Sequence, residues 1–239
     1  MLLSLTLGLI AAVADILGGV ILVRHHWEKR YLRYFVAIGA GFMLSVALLE
    51  MMPESLHFSP KWSPVLILAG YCAIHLLEHT ITPHFHFGEE THHHELAAHT
   101  GYSVLTGLAV HALFDGVAIG SGFVLSNWLG WLIFFAVFLH KMPEGFTVAS
   151  VMLASGSSRR TALVSAIVLA LTTVLGVLVI NLLPGWVHAG LPLSAGVAIY
   201  VAATDLVPEV NREPGIRMAL VFFLGVVGFL TMRWALPAL

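Results

Sequence analysis

Two short motifs in this sequence carry side chains that could hold a metal ion. The first contains His111 and Asp115, the second contains His140 and Glu144, and in both the acid is followed by glycine. Because each imidazole and carboxylate are four residues apart, they share one face of a helix, one turn apart. Two such faces turned toward each other would offer nitrogen and oxygen ligands that suit Zn²⁺, Fe²⁺, Mn²⁺ or Co²⁺ better than Cu⁺.

The composition indicates that these motifs lie inside a membrane. Of the 239 residues, 59% are hydrophobic and only 10% are charged, whereas soluble domains carry about 25% charged residues. The net charge of −2 without a long basic run gives no sign of a nucleic-acid partner, and one cysteine cannot form an intrachain disulfide. An ionised side chain at the bilayer centre costs at least ~2.5 kcal/mol, so ionisable groups there usually have partners and a function.

The apolar segments predict an all-α polytopic membrane protein with eight transmembrane helices, since one span needs roughly 20 residues. The breaks between them are short, except for residues 82–99, so residues 1–239 are expected to form a single transmembrane transport domain. The predicted spans are about 1–23, 33–53, 63–81, 100–125, 128–153, 161–183, 191–210 and 216–236.

Basic residues in the connections predict the orientation of these spans, because cytoplasmic loops are enriched in Lys and Arg. On one side lie only Lys61 and Arg233. We therefore expect both termini to be extracytoplasmic and residues 82–99 to form a His-rich cytoplasmic loop. The opposite side holds Arg24, Lys29, Arg30, Arg33, Arg159, Arg160, Arg212 and Arg217.

A short sequence pattern that occurs twice suggests an inverted repeat. The second span ends in an acid-x-x-Pro-Glu sequence from Glu50 to Glu54, and the seventh ends in the same pattern from Asp205 to Glu209. With alternating span directions, the two copies run in opposite senses, as in transporters built from inverted repeats.

Further polar residues surround the two motifs. Pro143 has no amide hydrogen and frees the carbonyl of Leu139, and Lys141 is expected to form an internal salt bridge. A second set of polar residues could form an exit path or bind metal loosely in the loop, although a solvated linker is the competing interpretation of the loop. This set comprises His75, Glu78, His79, His84, His86, His92, His93 and His94.

Three other interpretations compete with metal transport. Each His–carboxylate pair could be an interhelical polar clamp that passes nothing. The same groups could relay protons in a proton-coupled carrier of another solute. An enzyme is disfavoured, because the His-Glu-x-x-His motif of zinc proteases is absent and only one diiron-like His-x-x-x-His sequence, from His75 to His79, ends a helix.

The motifs resemble those of the Zrt/Irt-like (ZIP) family of metal transporters over essentially the whole chain. The resemblance rests on residues 111–116, 140–145 and 200–209 and on the His-rich loop. It implies a 3+2+3 inverted-repeat bundle, a homodimer, and movement of Zn²⁺, or of Fe²⁺, Mn²⁺ or Cd²⁺, into the cytoplasm across the cell (inner) membrane. The metal is then a transported substrate, and no cofactor is expected.

The resemblance also assigns roles to individual residues. It makes His111, Asp115, His140 and Glu144 the primary ligands, with Met43 as a thioether contact and Asp205 as an acid on the route. The chain departs from members that bind two metals, since Ala112 stands where those members commonly have Asn and Lys141 stands where the residue can be acidic. Our hypothesis is that the ammonium of Lys141 replaces the second cation.

Overall fold

The computed structural model describes residues 1–24, 29–80, 98–212 and 216–235. Throughout these ranges all regular structure is helical, which confirms the all-α fold. The α-helices are α1 (Leu2–Arg24), α2 (Lys29–Val46), α3 (Met52–Phe58), α4 (Ser63–Thr80), α5 (Ala98–Leu125), α6 (Asn127–Ala154), α7 (Arg159–Leu182), α8 (Val187–Tyr200), α9 (Val207–Asn211) and α10 (Ile216–Ala235).

Two of the spans contain a π-helical segment. Ala47–Met51 joins α2 to α3, and Val201–Leu206 joins α8 to α9. Each segment ends shortly before a proline, which supplies no amide hydrogen and so breaks the regular bonding pattern. The backbone instead makes bonds to a carbonyl five residues earlier, the spacing of a π-helix. These bonds run from the amide of Met52 to Ala47 and from that of Val207 to Ala202.

Seven spans in the described part of the chain are long and apolar enough to cross a bilayer, as expected of a polytopic membrane protein. They are α1, α2 with α3, α5, α6, α7, α8 with α9, and α10. The predicted third span corresponds to α4, which falls outside this group. Its 18 residues include His75, Glu78 and His79 in the second half, which lower its apolarity.

The helices pack in pairs through glycines. Helix α1 packs on α6, α5 on α7, α4 on α8, and α2 on α10. In each pair one glycine from each helix faces the partner's backbone so closely that an added Cβ would overlap a carbonyl oxygen. Small residues allow this close approach where no hydrophobic force drives helices together in lipid. The pairs are Gly18 with Gly145, Gly116 with Gly176, Gly70 with Gly196, and Gly41 with Gly225.

The pairing pattern reproduces the predicted inverted repeat. In this repeat the first, second and third spans correspond to the sixth, seventh and eighth, and α5 corresponds to α6. The α1–α6 contact then corresponds to the α7–α5 contact, and the α4–α8 contact corresponds to the α10–α2 contact. Matching residues of the second and third spans and of the seventh and eighth spans keep a constant separation along the chain. Gly41 and Gly196, Gly70 and Gly225, and Glu50 and Asp205 are each 155 residues apart. Helices α5 and α6, with their two motifs, lie at the centre of this arrangement.

Candidate metal site

The structure brings the two predicted ligand pairs together. His111 and Asp115 project from α5, His140 and Glu144 from α6, and one ligand atom of each lies within 4.8 Å of all the others. All four residues are at most 4% exposed. Across the described residues, this is the one group of three or more His, Cys, Asp or Glu side chains that converges in this way.

One carboxylate oxygen of Asp115 lies at the centre of the group. Its Oδ2 atom is 3.2 Å from Nε2 of His111 and 3.2 Å from Nε2 of His140. The two imidazole rings have their centroids 5.5 Å apart. Both helices therefore direct their ligand atoms into one small volume, as the matched spacing predicted.

The hydrogen bonding of the imidazoles favours a cation between these atoms. Nδ1 of His140 lies 2.8 Å from the carbonyl of Ala136, to which it can only donate. In its neutral form, the ring therefore turns the lone pair of Nε2 toward the Asp115 carboxylate, which is also an acceptor. Two facing acceptors repel each other unless a proton or a metal ion lies between them.

Several buried polar atoms of the group have no hydrogen-bond partner among the described residues. These atoms are both ring nitrogens of His111 and Oε1 of Glu144. Buried polar atoms in folded proteins are nearly always paired, so such orphans need an explanation. A coordinated metal ion would satisfy one ring nitrogen of His111 and Oε1 of Glu144, which a purely structural polar clamp leaves without partners.

Lys141 lies inside the group, where it forms the internal salt bridge expected from the sequence. Its Nζ is 2.5 Å from Oε2 of Glu144 and 2.9 Å from Oδ2 of Asp115, and its side chain is fully buried. The ammonium thus binds both carboxylate groups of the four-residue cluster.

Asp15 on α1 is part of the same cluster, although the sequence analysis missed it. It is fully buried, and its Oδ2 is 3.7 Å from Nζ of Lys141. The sequence does mark Asp15 as unusual, because an acid in the middle of an apolar span usually has a partner and a function. Its partner lies 126 positions further along the chain, and nothing in the spacing along the sequence identifies it.

The glycine that follows each motif acid has a packing role. A Cβ at Gly145 would overlap the carbonyl oxygen of Asp15 on α1. A Cβ at Gly116 would overlap the carbonyl oxygen of Thr173 on α7. In each motif the acid therefore points into the site while the next residue lets a flanking helix approach.

Met43 and Asp205 lie outside the four-ligand group. Met43 is buried on α2, which packs against α6. Gly39, one turn before Met43, faces the site, because a Cβ there would lie 3.6 Å from the Cβ of His140. Asp205 lies in the second π segment, where Oγ1 of Thr204 donates to it at 3.1 Å.

Asp205 belongs to a second polar group between α4 and the seventh span. The hydroxyl of Tyr200 donates to Oε2 of Glu78 at 2.7 Å. The ring of His75 has its centroid 4.0 Å from that of His79 and 5.8 Å from that of Tyr200. These side chains line up along the helices and do not converge on one point. The predicted loop ligands His84, His86, His92, His93 and His94 lie outside the described residues.

Comparisons with known proteins agree with this geometry. A family model described as "ZIP Zinc transporter" matches residues 1–104 and 88–233. The mouse protein "Zinc transporter SLC39A7" is 31% identical over 147 residues, which are 56% of this chain and 30% of that protein. The human protein "Zinc transporter ZIP4" is 33% identical over 136 residues, which are 54% of this chain and 20% of that protein. The chain thus spans less than a third of the length of either relative.

Proposed function

Because the chain belongs to the ZIP zinc transporter family, we propose that it carries divalent transition-metal ions, above all Zn²⁺, across a membrane through the group on α5 and α6. The observation that supports this proposal most directly is the convergence of four buried ligand atoms within 4.8 Å. Fe²⁺, Mn²⁺ and Cd²⁺ are further candidate substrates, since nitrogen and oxygen ligands accept all of them.

The geometry suits one tetrahedral ion after a small adjustment. A Zn²⁺ ion with bonds of about 2.1 Å places its ligand atoms about 3.4 Å apart. Oδ2 of Asp115 already lies 3.2 Å from Nε2 of both His111 and His140. The other ligand atoms lie within 4.8 Å and would move inward by about 1 Å, a change that side-chain rotation supplies. A site that must adjust in this way binds its ion less tightly than a preformed site, which suits transport because the ion must also leave.

The remaining features of transport are proposed on other grounds. The distribution of basic residues supports extracytoplasmic termini. The family resemblance supports movement toward the cytoplasm across the cell membrane. It also supports a homodimer, with Met43 as a further contact and Asp205 on the route. We propose an exit path along His75, Glu78 and His79, because these side chains lie together in the second half of α4, where Tyr200 donates to Glu78 and the two imidazole rings lie 4.0 Å apart.

Transport is tested by reconstituting the full chain in liposomes. We expect Zn²⁺ uptake that Cd²⁺, Fe²⁺ and Mn²⁺ compete with, and a rise in the protein's apparent melting temperature when Zn²⁺ is added in detergent. A ligand present at 100 times its dissociation constant stabilises a folded protein by about 2.7 kcal/mol. Neither effect is expected with Mg²⁺, which prefers six oxygen ligands.

The outcome also separates metal transport from the proton-relay alternative. A folded protein that takes up no Zn²⁺ and gains no stability from it, but that transports protons with another solute, would contradict our proposal.

The position of Lys141 predicts a single bound metal ion per protomer. Its ammonium lies 2.9 Å from Asp115 and 2.5 Å from Glu144, so it occupies the place of a second cation beside these carboxylates. Elemental analysis of zinc-loaded protein should give one zinc per protomer, and anomalous diffraction should give one peak. Lys141→Arg, which keeps the charge, is the control. Two zinc ions per protomer would show that Lys141 does not act as the second cation.

A further inference from the structure

Asp15 and Lys141 form a buried contact that metal binding by itself does not explain. Neither oxygen of Asp15 has a hydrogen-bond partner among the described residues, and the ammonium of Lys141 lies 3.7 Å away. Buried carboxylates are costly in a membrane unless they are fully paired. Asp15 is therefore positioned beside a cation that it does not yet hold closely.

The inverted repeat supplies an internal control for this contact. The crossing of α1 with α6 places the backbone of Asp15 against Gly145, and the equivalent crossing of α7 with α5 places the backbone of Thr173 against Gly116. The position after the motif histidine is Lys141 in one half and Ala112 in the other. All four of these side chains are completely buried, namely Asp15, Lys141, Thr173 and Ala112.

This comparison shows that the helix crossing does not need a charged pair. The α5–α7 crossing has Thr173 and Ala112 at the equivalent positions, and the hydroxyl of Thr173 donates within its own helix, to the carbonyl of Leu169. The charged pair of the α1–α6 crossing must therefore have a role other than packing. Its Lys141 lies directly beside the proposed metal ligands Asp115 and Glu144.

Lys141 competes with a metal ion for the same two carboxylate groups. Its ammonium binds Oδ2 of Asp115 and Oε2 of Glu144, both on ligand residues. A divalent ion and an ammonium repel each other strongly at such distances in a dry site. When an ion enters, the ammonium must give up at least one of these oxygens, and Asp15 is the third carboxylate within its reach.

We propose that Asp15 is a positioning residue that receives the Lys141 ammonium when a metal ion occupies the four-ligand group. The inference rests on the proposed metal site. With the site empty, Lys141 neutralises Asp115 and Glu144. With an ion bound, the ammonium closes the 3.7 Å gap to Asp15, a shift of about 1 Å to a charged hydrogen bond of about 2.8 Å.

The formal charges agree with this exchange. Three carboxylates and one ammonium give the cluster a charge of −2 when both imidazoles are neutral. One divalent ion balances this charge. Without Asp15 the occupied site would carry one uncompensated positive charge in a buried position, which is costly. Asp15 is thus required only because Lys141 is present.

A double-mutant cycle on the full chain tests this dependence. Zn²⁺ affinity is measured in detergent by competition with a chromogenic chelator for wild type, Asp15→Thr, Lys141→Ala and the combined variant, which recreates the neutral pair of the α5–α7 crossing. We expect Asp15→Thr to weaken binding at least about 30-fold when Lys141 is present. In the Lys141→Ala background, the same change should alter affinity by less than about threefold.

Two further variants control for folding and for general charge effects. Asp15→Glu retains the carboxylate and should bind Zn²⁺ within about fivefold of wild type. Glu50→Gln removes a carboxylate from the ion pair with Arg233, 3.0 Å away and outside the cluster, and should leave Zn²⁺ affinity unchanged. If Asp15→Thr does not fold, Asp15→Asn takes its place in the cycle.

The possible results separate the inference from the proposed function. Equal losses in both backgrounds would mean that Asp15 acts as a general negative charge, and a lower melting temperature with unchanged affinity would mean that it acts only in packing. Either result overturns the role in receiving Lys141 while leaving the metal site intact. A wild type that does not bind Zn²⁺ overturns both proposals.

Discussion

Zinc uptake by the variant that combines His140→Ala with Glu144→Ala is expected to fall by at least about 100-fold in proteoliposomes. These residues supply two of the four converging ligand atoms, and both come from α6. Loss of a partner that merely orients a ligand costs 10–100-fold in metal affinity, so loss of two direct ligands should exceed that range. The two remaining ligands, His111 and Asp115, cannot enclose an ion alone.

The matched control removes the same residue types elsewhere. Glu54 and His57 lie on α3, three residues apart, and neither belongs to the ligand group. Replacing both with alanine should leave uptake within about twofold of wild type, if the expected loss comes from the ligands and not from removal of charge. Monodisperse elution and an unchanged helical signal establish folding. Substantial uptake by the folded double variant would place the ion path elsewhere.

The four-ligand group could be predicted from the sequence because local spacing determines it. An imidazole and a carboxylate four residues apart share a helix face whatever the rest of the fold does, and both motifs repeat this spacing. The facing of the two helices followed from the short connection between them at Ser126. Asp15 could not be assigned in this way, because its contact with Lys141 depends on how α1 crosses α6.

The spans were predictable for a similar reason, since lipid requires long apolar helices whose backbones bond internally. The fifth span was expected at 128–153 and runs from Asn127 to Ala154. The seventh was expected to begin near 191, but α8 begins at Val187. Pro192 lies inside this helix, which membrane helices tolerate because freed backbone groups find other partners.

The glycine pairs are the main feature of the fold that the sequence analysis did not predict. Glycines occur throughout the chain, and only the packing of two helices shows which of them meet. The inverted repeat identifies the glycines that meet, because the same pairing recurs at equivalent positions in both halves. Gly145 links packing to the candidate site, since it belongs to one of the two motifs and also contacts α1, the helix that carries Asp15.

Replacing Gly145 with alanine is expected to lower the apparent melting temperature by about 5–10 °C. The added Cβ would overlap the carbonyl oxygen of Asp15, and its carbonyl carbon and Cα lie 2.6 and 2.7 Å away. These are backbone atoms, which cannot rotate aside as a side chain would, so α1 and α6 must separate. Overpacking of this kind costs about 1–3 kcal/mol or more, and a chain of this size loses 2–4 °C for each kcal/mol.

Gly228→Ala is the matched control for this variant. Gly228 lies inside α10, and a Cβ there would meet nothing within 4 Å, so its melting temperature should not fall. Separation of α1 from α6 should also move Asp15 away from Lys141, and Gly145→Ala should therefore bind Zn²⁺ more weakly even below its melting temperature. If the variant melts like wild type, the two helices are not held at the distance that brings the Asp15 carboxylate to the metal site. If it melts early but binds Zn²⁺ normally, the crossing stabilises the fold without positioning the site.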